Sequence, residues 1–275
     1  MLFSPPIPTN MNQINQPFHN FHKNIPGIRK AISINKRFWI TILSATIFLA
    51  LLQRGSASNQ LKIIVSLLSL IIAATVGWMV HLFSHSFDFT QILTHIQNNS
   101  NTLTYIFKII PPFKFIAFAL TNQLDFHHKI HHNTDINKQP TNLIIEFIQN
   151  ILTQGLLLAI LLRNLGITIN AKPGKSPLQF NYATMIMYAF LYATVHIINY
   201  NLDPSICHEQ HHANEKTNLG IDFLDVIFNH KYDPSCIEHV NHYAINISII
   251  CLIIYFLYKH INPKHPVSTF LFGKQ

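Results

Sequence analysis

The sequence predicts an all-α integral membrane protein, a helical bundle with about four transmembrane helices and a cytosolic cap rich in histidine. Composition is the first observation behind this prediction. The 275 residues are 49% hydrophobic and only 11% charged, and the mean hydropathy is +0.23, which is more typical of membrane proteins than of soluble domains. The second observation is that long apolar runs recur along the chain, with clusters of histidine at or near their ends.

We expect one membrane-embedded domain, residues 37–262, between an N-terminal segment, residues 1–36, and a short C-terminal tail, residues 263–275. The N-terminal segment is polar and rich in Pro and Asn, so we expect it to be flexible. It has no apolar run followed by small residues, so we expect no cleaved secretory signal. The three cysteines form no CxxC pair and give no sign of a disulfide-built secreted fold.

Four apolar runs are the predicted transmembrane helices, since a span needs roughly 20 apolar residues to cross about 30 Å of hydrocarbon. The first run is short, but the basic residues at its ends, Lys36, Arg37 and Arg54, can extend to the lipid headgroups. We therefore expect all four runs to cross. They are residues 38–52, 61–83, 143–162 and 178–200.

Two further apolar runs have a different character. Residues 105–120 are interrupted by Pro111 and Pro112, which break helix hydrogen bonding, and by Lys114, which places a charge in the middle of the run. This pattern favours a re-entrant or interfacial helix pair. Residues 244–258 fit either a tilted span or a helix lying on the membrane surface, and the sequence leaves the choice open.

The basic residues indicate the partner and the orientation. The formal net charge is +8, but Lys and Arg are scattered among apolar runs with no basic stripe, so we expect contact with a membrane surface and not with nucleic acid. Four basic residues precede the first span, and the positive-inside rule places that side in the cytosol. Because the predicted spans form two hairpins, every histidine cluster returns to that side.

Three histidine clusters carry the functional information. Within each, the spacing is i, i+3 or i, i+4, which turns the imidazoles of a helix toward one side. Neutral imidazole is the commonest metal ligand in proteins, and one ion rarely takes more than about four protein ligands. The clusters therefore predict a metal centre with two ions. They are His81 and His85; His128, His131 and His132; and His208, His211 and His212.

In order along the chain, HLFSH at 81–85, HKIHH at 128–132 and HEQHH at 208–212 resemble the histidine boxes of the membrane-bound fatty acid hydroxylase and sterol desaturase superfamily. The stretch NLGIDFLDVIF, residues 218–228, is similar to a run that follows the last box in that family. In several branches a histidine pair precedes the last box. Here only His196 occupies such a position, and the resemblance implies that it is a further ligand.

This resemblance implies a histidine-ligated centre of two iron ions (Fe2+/Fe3+) that uses dioxygen to hydroxylate or desaturate a lipid of sterol or fatty acyl type. It also implies a multi-pass protein of the endoplasmic reticulum. The sequence contains no fused cytochrome domain and no nicotinamide or flavin fingerprint, so a separate electron donor, such as a cytochrome and its reductase, is expected. The residues do not distinguish hydroxylation from desaturation.

Some neighbouring residues have weaker signals. Four acidic residues are candidates for accepting the free ring N–H of ligating histidines. His127 adjoins the second cluster but is expected to point away from it as a surface residue, and His242 is left open as a ligand. The acidic candidates are Asp125, Asp222, Asp225 and Glu238.

Two other functions remain open. His208, Glu209 and His212 spell HExxH, the motif of zinc proteases in which the glutamate is the general base. An intramembrane zinc metalloprotease is therefore one alternative, although it leaves the first two clusters without a role. A histidine-rich metal transporter is the other, although its ligands should lie within the spans and not at their ends.

Overall fold

The computed structural model describes residues 21–87, 89–102, 105, 127, 131–132, 139–169, 178–203, 205–220, 222–233 and 237–273. The predicted re-entrant segment lies outside these residues except for Tyr105. His128, Asp125 and Cys236 also lie outside them.

The described part of the chain is mostly helical, as predicted. Two π-helical segments, Leu152–Leu156 and Val195–Asn199, and a 3-10 turn, Asn241–Tyr243, continue neighbouring helices. The strands β1 (Thr168–Ile169) and β2 (Leu178–Gln179) form one short antiparallel ladder. The helices are α1 (Phe21–Ile34), α2 (Lys36–Leu52), α3 (Asn59–Ser86), α4 (Phe89–Asn99), α5 (Pro140–Ile151), α6 (Leu157–Asn164), α7 (Tyr182–Thr194), α8 (Tyr200–Leu202), α9 (Ile206–Ala213), α10 (Asp222–Phe228), α11 (Ala244–His260) and α12 (Pro266–Phe272).

Three helical stretches in the described residues are long and apolar enough to cross a membrane: Asn59–Ser86, Pro140–Asn164 and Asn241–His260. The second joins α5 and α6 through a π-helical segment. The third contains α11, so the run that the sequence left open has the length of a span. A fourth candidate is the pair Ile25–Ile34 and Lys36–Leu52, which meets the criterion only as a unit and is bent by 80°.

α7 is the central helix of the bundle and not a long span of its own. It has 13 residues and runs on into the π-helical segment that holds His196. Tyr182, Met185 and Met187 are all buried, because α7 packs against α2, α3, α5, α11 and α12. A helix enclosed on every side is apolar all round, which explains why residues 178–200 resemble a transmembrane run in the sequence.

The outer helices turn large apolar side chains away from the core. Ile40 on α2 is 65% exposed, Ile71 on α3 is 59% exposed and Leu252 on α11 is 67% exposed. Broad apolar surface of this kind is rare on monomeric soluble proteins and is matched by lipid tails. The outward face of the bundle therefore agrees with a membrane protein.

The bundle has two ends. At the far end, the Gln53 side-chain amide donates to the Gln179 carbonyl oxygen at 2.9 Å and Arg54 Nη1 donates to Ser268 Oγ at 3.0 Å. α12 packs there with Phe272 fully buried, so part of the segment expected to be a tail belongs to the core. Similarly, residues 21–34 of the expected N-terminal tail form α1. The opposite end, where α3 finishes and α9 lies, is the histidine end.

Candidate metal centre

The histidine end gathers eight of the nine ligands expected from the sequence, and the ninth, His128, lies outside the described residues. Most of the eight rings are buried; His131 is 2% exposed and His211 is fully buried. Neighbouring rings touch, with centroids 4.2 Å apart for His131 and His196 and 4.5 Å apart for His132 and His212. The eight are His81, His85, His131, His132, His196, His208, His211 and His212.

Local helix geometry explains how these rings converge. His81 and His85 are one turn apart at the end of α3. Ser205 is the N-cap of α9, because its hydroxyl accepts a hydrogen bond from His208 N at 3.1 Å. His196 lies in a π-helical segment. The extra residue in such a turn changes the direction of the side chains, and π-helical segments often occur at functional sites.

The first ligand group consists of His81, His85, His127 and His211. One ring nitrogen from each lies within 4.8 Å of the others. His81 Nε2 and His127 Nε2 are 3.1 Å apart. Two nitrogens that each lie about 2.1 Å from one ion are themselves about 3.0–3.4 Å apart, depending on the angle. The group therefore has the spacing of ligands around one metal ion.

The second ligand group consists of His131, His196 and His208, whose ring nitrogens also lie within 4.8 Å of one another. His212 Nε2 is 3.1 Å from both His131 Nε2 and His208 Nε2. A single N–H on His212 cannot serve two acceptors at once, whereas one metal ion can bind all three nitrogens. This group, too, could hold a metal ion.

Hydrogen bonds at Nδ1 of His211 and His81 leave the Nε2 lone pair of each ring free to face the first ligand group. Nδ1 of His211 lies 2.8 Å from the Thr217 carbonyl oxygen, and Nδ1 of His81 lies 2.5 Å from the Leu219 carbonyl oxygen. Because a carbonyl only accepts, both Nδ1 atoms carry the proton and both Nε2 atoms are bases. His211 Nε2 is buried with no hydrogen-bond partner among the described residues. A buried set of neutral imidazoles of this kind suits a first-row transition metal.

Burial keeps the α9 imidazoles neutral. It lowers the pKa of His208 and of His211 well below the usual value of 6.5, and neighbouring histidines lower both further. Neutral rings have the free lone pair that a metal ion requires.

The backbone loop 217–220 orients two rings of the first ligand group, one on α9 and one on α3. Its carbonyl groups accept from His211 and His81, as described above. Asn218 has a φ of 51°, and its side chain donates to the Cys207 carbonyl oxygen at 2.9 Å and accepts from Tyr232 N at 3.1 Å. The loop is therefore fixed to α9 and to the chain beyond α10.

Asp225 acts on this loop and not directly on a histidine. It accepts from Leu219 N at 3.1 Å, from Gly220 N at 3.2 Å and from the Trp78 indole N–H at 2.9 Å. Burial raises its pKa to about 7, although the hydrogen bonds from Trp78 and Gly220 and the charge of Lys231 oppose the shift. The expectation that Asp225 accepts a ligand ring N–H is thus corrected: the loop carbonyls do so, and Asp225 holds the loop.

Asp222 and Glu238 also have partners other than the histidines in the described structure. Asp222 pairs with Lys231 and accepts from Glu238 N at 2.6 Å. Glu238 accepts from the Tyr200 hydroxyl at 2.9 Å and from the Tyr243 hydroxyl at 3.0 Å. These two carboxylates hold the chain after α10 against α8 and α11, so their proposed role as histidine partners is not what the structure shows.

Glu146 is the carboxylate that the sequence reasoning missed. Its Oε1 lies 2.6 Å from His131 Nδ1 and 3.9 Å from His196 Nε2, and the side chain is 2% exposed. A carboxylate on the outer nitrogen of a ligating histidine fixes its tautomer and increases its basicity. The signal was present in the sequence, because an acidic residue inside an apolar run is rare and usually functional.

The expectation that His127 is a surface residue is wrong. Its ring stacks on His131 with centroids 4.9 Å apart and reaches His81, so it belongs to the first ligand group. The prediction assumed a regular α-helix through the second cluster. His242, which the sequence left open, is exposed and lies against Tyr243, outside both groups.

An apolar cavity adjoins the centre. Three histidines, His81, His196 and His208, form one wall. The remainder is mainly hydrophobic and aromatic, and much of it comes from α2, from α7 with the π-helical segment that follows it, and from α10; it includes Trp39, Leu191, Val195 and Phe223. An apolar cleft with a few convergent polar groups is typical of a small-molecule binding site.

No protein-family model, curated protein or solved structure matches this chain. The interpretation of the site therefore rests on its geometry.

We expect Asp225→Asn to weaken metal binding by the first ligand group on the order of 10-fold, because an amide cannot accept from both Leu219 N and Gly220 N and the loop carbonyls lose their positions. Competition with a chromophoric chelator measures the affinity. The exposed Asp203→Asn is the matched control. Unchanged affinity in Asp225→Asn would contradict the role given to the loop.

Glu146→Gln should weaken the second group by a similar factor, about 10-fold, since His131 loses its carboxylate partner. The exposed Glu209→Gln serves as the control for the same chemical change. In the same titration the first group should keep its affinity. Equal weakening of both groups, or of neither, would exclude a specific effect of Glu146 on His131.

Proposed function

We propose that this protein is a membrane-bound oxidoreductase that holds two iron ions and uses dioxygen to hydroxylate or desaturate a lipid of sterol or fatty acyl type. The observation that carries the proposal is the pair of adjacent buried ligand groups, each built from neutral imidazoles. Iron is one of the metals that imidazole suits, and the two groups match the two ions inferred from the number of clustered histidines.

The apolar cavity supports a lipid substrate. Leu191, Val195 and Phe223 would pack along an acyl or sterol skeleton and exclude water, while the histidine wall sets which carbon faces the centre. A bound di-iron group would supply the oxidising power that side-chain acids and bases lack for an unactivated C–H bond. The chain's own contribution is to hold the substrate at a fixed position beside His81, His196 and His208.

The separate partners follow from this proposal. Electrons would come from a donor such as a cytochrome with its reductase. The basic residues before α2 support a cytosolic histidine end, where such a donor would dock, in a multi-pass protein of the endoplasmic reticulum.

The protease alternative is weakened by the position of Glu209. In a HExxH protease this side chain must reach a metal-bound water, but Glu209 is exposed while His208 and His212 face the cluster. The transporter alternative is weakened because the described ligands gather at one end of the bundle and do not follow a path across it.

Paired substitutions test the function. In membranes supplied with dioxygen and a reductase system, the wild-type protein should convert a fatty acyl or sterol lipid, and His131→Ala or His211→Ala should abolish conversion because each removes a ligand from a different group. Product analysis by mass spectrometry with labelled dioxygen measures this.

Glu209→Gln is the matched control, since it alters the HExxH motif without touching either ligand group. It should leave lipid conversion intact. Full lipid conversion by His131→Ala would reject the oxygenase. Peptide cleavage that Glu209→Gln abolishes and His131→Ala spares would favour the protease instead.

A further inference from the structure

A polar stripe runs down the inner face of α5 and of the π-helical segment that follows it, inside a stretch of span length. Glu146, Asn150 and Gln154 follow one another at i, i+4 and i+8, and they are 2%, 6% and 3% exposed. The outer face of the same helix exposes Ile144 and Ile148. Polar groups at this depth are expensive and are usually kept for a function.

Glu146 Oε1 faces His131, but one polar atom of each stripe residue is left without a partner. Glu146 Oε2, Asn150 Nδ2 and Gln154 Oε1 are buried and have no hydrogen-bond partner among the described residues. Elsewhere in the same bundle, polar groups that hold helices together are paired: Asn181 Nδ2 donates to Ser66 Oγ at 2.7 Å. Helix packing therefore explains Asn181 but not the α5 stripe.

The unpaired groups surround a small cavity. It lies between α3, α5 and α7 and has a volume of about 20 Å³. Asn150 and Gln154 line it together with Val80, Ser84, Glu146, Gln149, Thr153, His81, His127 and Tyr192. A cavity of roughly 10–15 Å³ with two or more polar partners is enough for one water molecule. The cavity therefore meets both requirements for bound water, and it touches the first ligand group directly.

Close helix contact brings the Gln154 amide to this cavity. A side chain on Gly77 would collide with the Gln154 amide, and one on Gly155 would approach the Met185 carbonyl oxygen to 2.8 Å. Glycine at these two positions lets Gln154 reach across to α3 and bound the cavity.

We propose that this cavity is a water-binding site and that its water delivers protons to the metal centre. The proton-delivery role rests on the proposed function, whereas the water site does not. In lipid hydroxylation, one oxygen atom enters the C–H bond and the other leaves as water. The external donor supplies the electrons, and an equal number of protons must reach the reduced oxygen. Asn150 and Gln154 orient the water that hands these protons on, and exchange with bulk water replaces them.

The water site is tested in the full-length protein in lipid nanodiscs by X-ray radiolysis, which labels side chains that touch bound water. Tyr192 should be labelled, while Met187, fully buried on the same helix, should not. In Asn150→Leu the labelling of Tyr192 should fall on the order of 10-fold, because an apolar side chain cannot hold the water. An unlabelled Tyr192 in the wild type, or equal labelling in the variant, would overturn the site.

The delivery role is tested by the amount of lipid product formed per dioxygen consumed. Asn150→Leu and Gln154→Met should lower this ratio several-fold and release peroxide. When protons arrive more slowly, more of the reduced oxygen escapes as peroxide before the lipid is oxidised. The control is Thr46→Val, which removes a buried hydroxyl from α2 away from the cavity and should leave the ratio unchanged. Wild-type coupling in both cavity variants would reject proton delivery even where radiolysis shows the water.

The two failures are distinguishable. Absence of any lipid oxidation by the wild-type protein would reject the proposed function, and with it the delivery role, while the labelling of Tyr192 still decides the water site. If the wild-type protein carried metal ions across vesicle membranes and Asn150→Leu did not, the stripe would be part of an ion path. That result would overturn proton delivery.

Discussion

Electrostatic repulsion between imidazole lone pairs is the constraint on which the histidine end depends. Ring nitrogens of His81 and His127 lie 3.1 Å apart, and His212 Nε2 lies 3.1 Å from a ring nitrogen of His131 and from one of His208. Buried neutral rings in such positions have too few N–H groups to satisfy every contact, and protonated rings would repel one another more strongly. A cation between them removes the conflict. The bundle is therefore arranged around positions that favour positive ions.

Holding these rings requires support behind them. In the first group the support is a backbone loop, whose carbonyls fix two rings and whose amides are fixed by Asp225. In the second group it is a carboxylate, Glu146, supplied from the face of a long apolar helix. The loop carbonyls and the Glu146 carboxylate thus impose the same tautomer, in which Nδ1 carries the proton and the Nε2 lone pair faces the ligand group. Both supports place their polar groups where the surrounding helices exclude bulk water.

Much of the fold and the centre could be predicted from the sequence. The i, i+3 and i, i+4 spacings predict that the imidazoles of α3 and of α9 share one side, and the apolar runs 61–83 and 143–162 predict two of the three helices of span length. Residues 178–200 were predicted to be a transmembrane helix because a helix enclosed by protein is as apolar as one in lipid. His127 misled because regular helical spacing was assumed around the second cluster.

The partners of the ligands could not be predicted in the same way. Loop carbonyls are the same for every residue type, so nothing in the letters of residues 217–220 indicates that they accept from His81 and His211. Glu146 lies on α5, the first helix described after His131, and its role depends on which face of α5 meets the histidine end. Asp225, in contrast, could be singled out beside the last box, but its partner is a backbone segment.

X-ray absorption spectroscopy of the purified protein tests the central claim, that the histidine end is a metal centre with two ligand groups. We expect about two iron ions per chain, with a first shell of nitrogen and oxygen atoms and the outer-shell scattering that several imidazoles produce around each ion. A protein that binds no transition metal, or one whose metal shows no imidazole scattering, would contradict the claim.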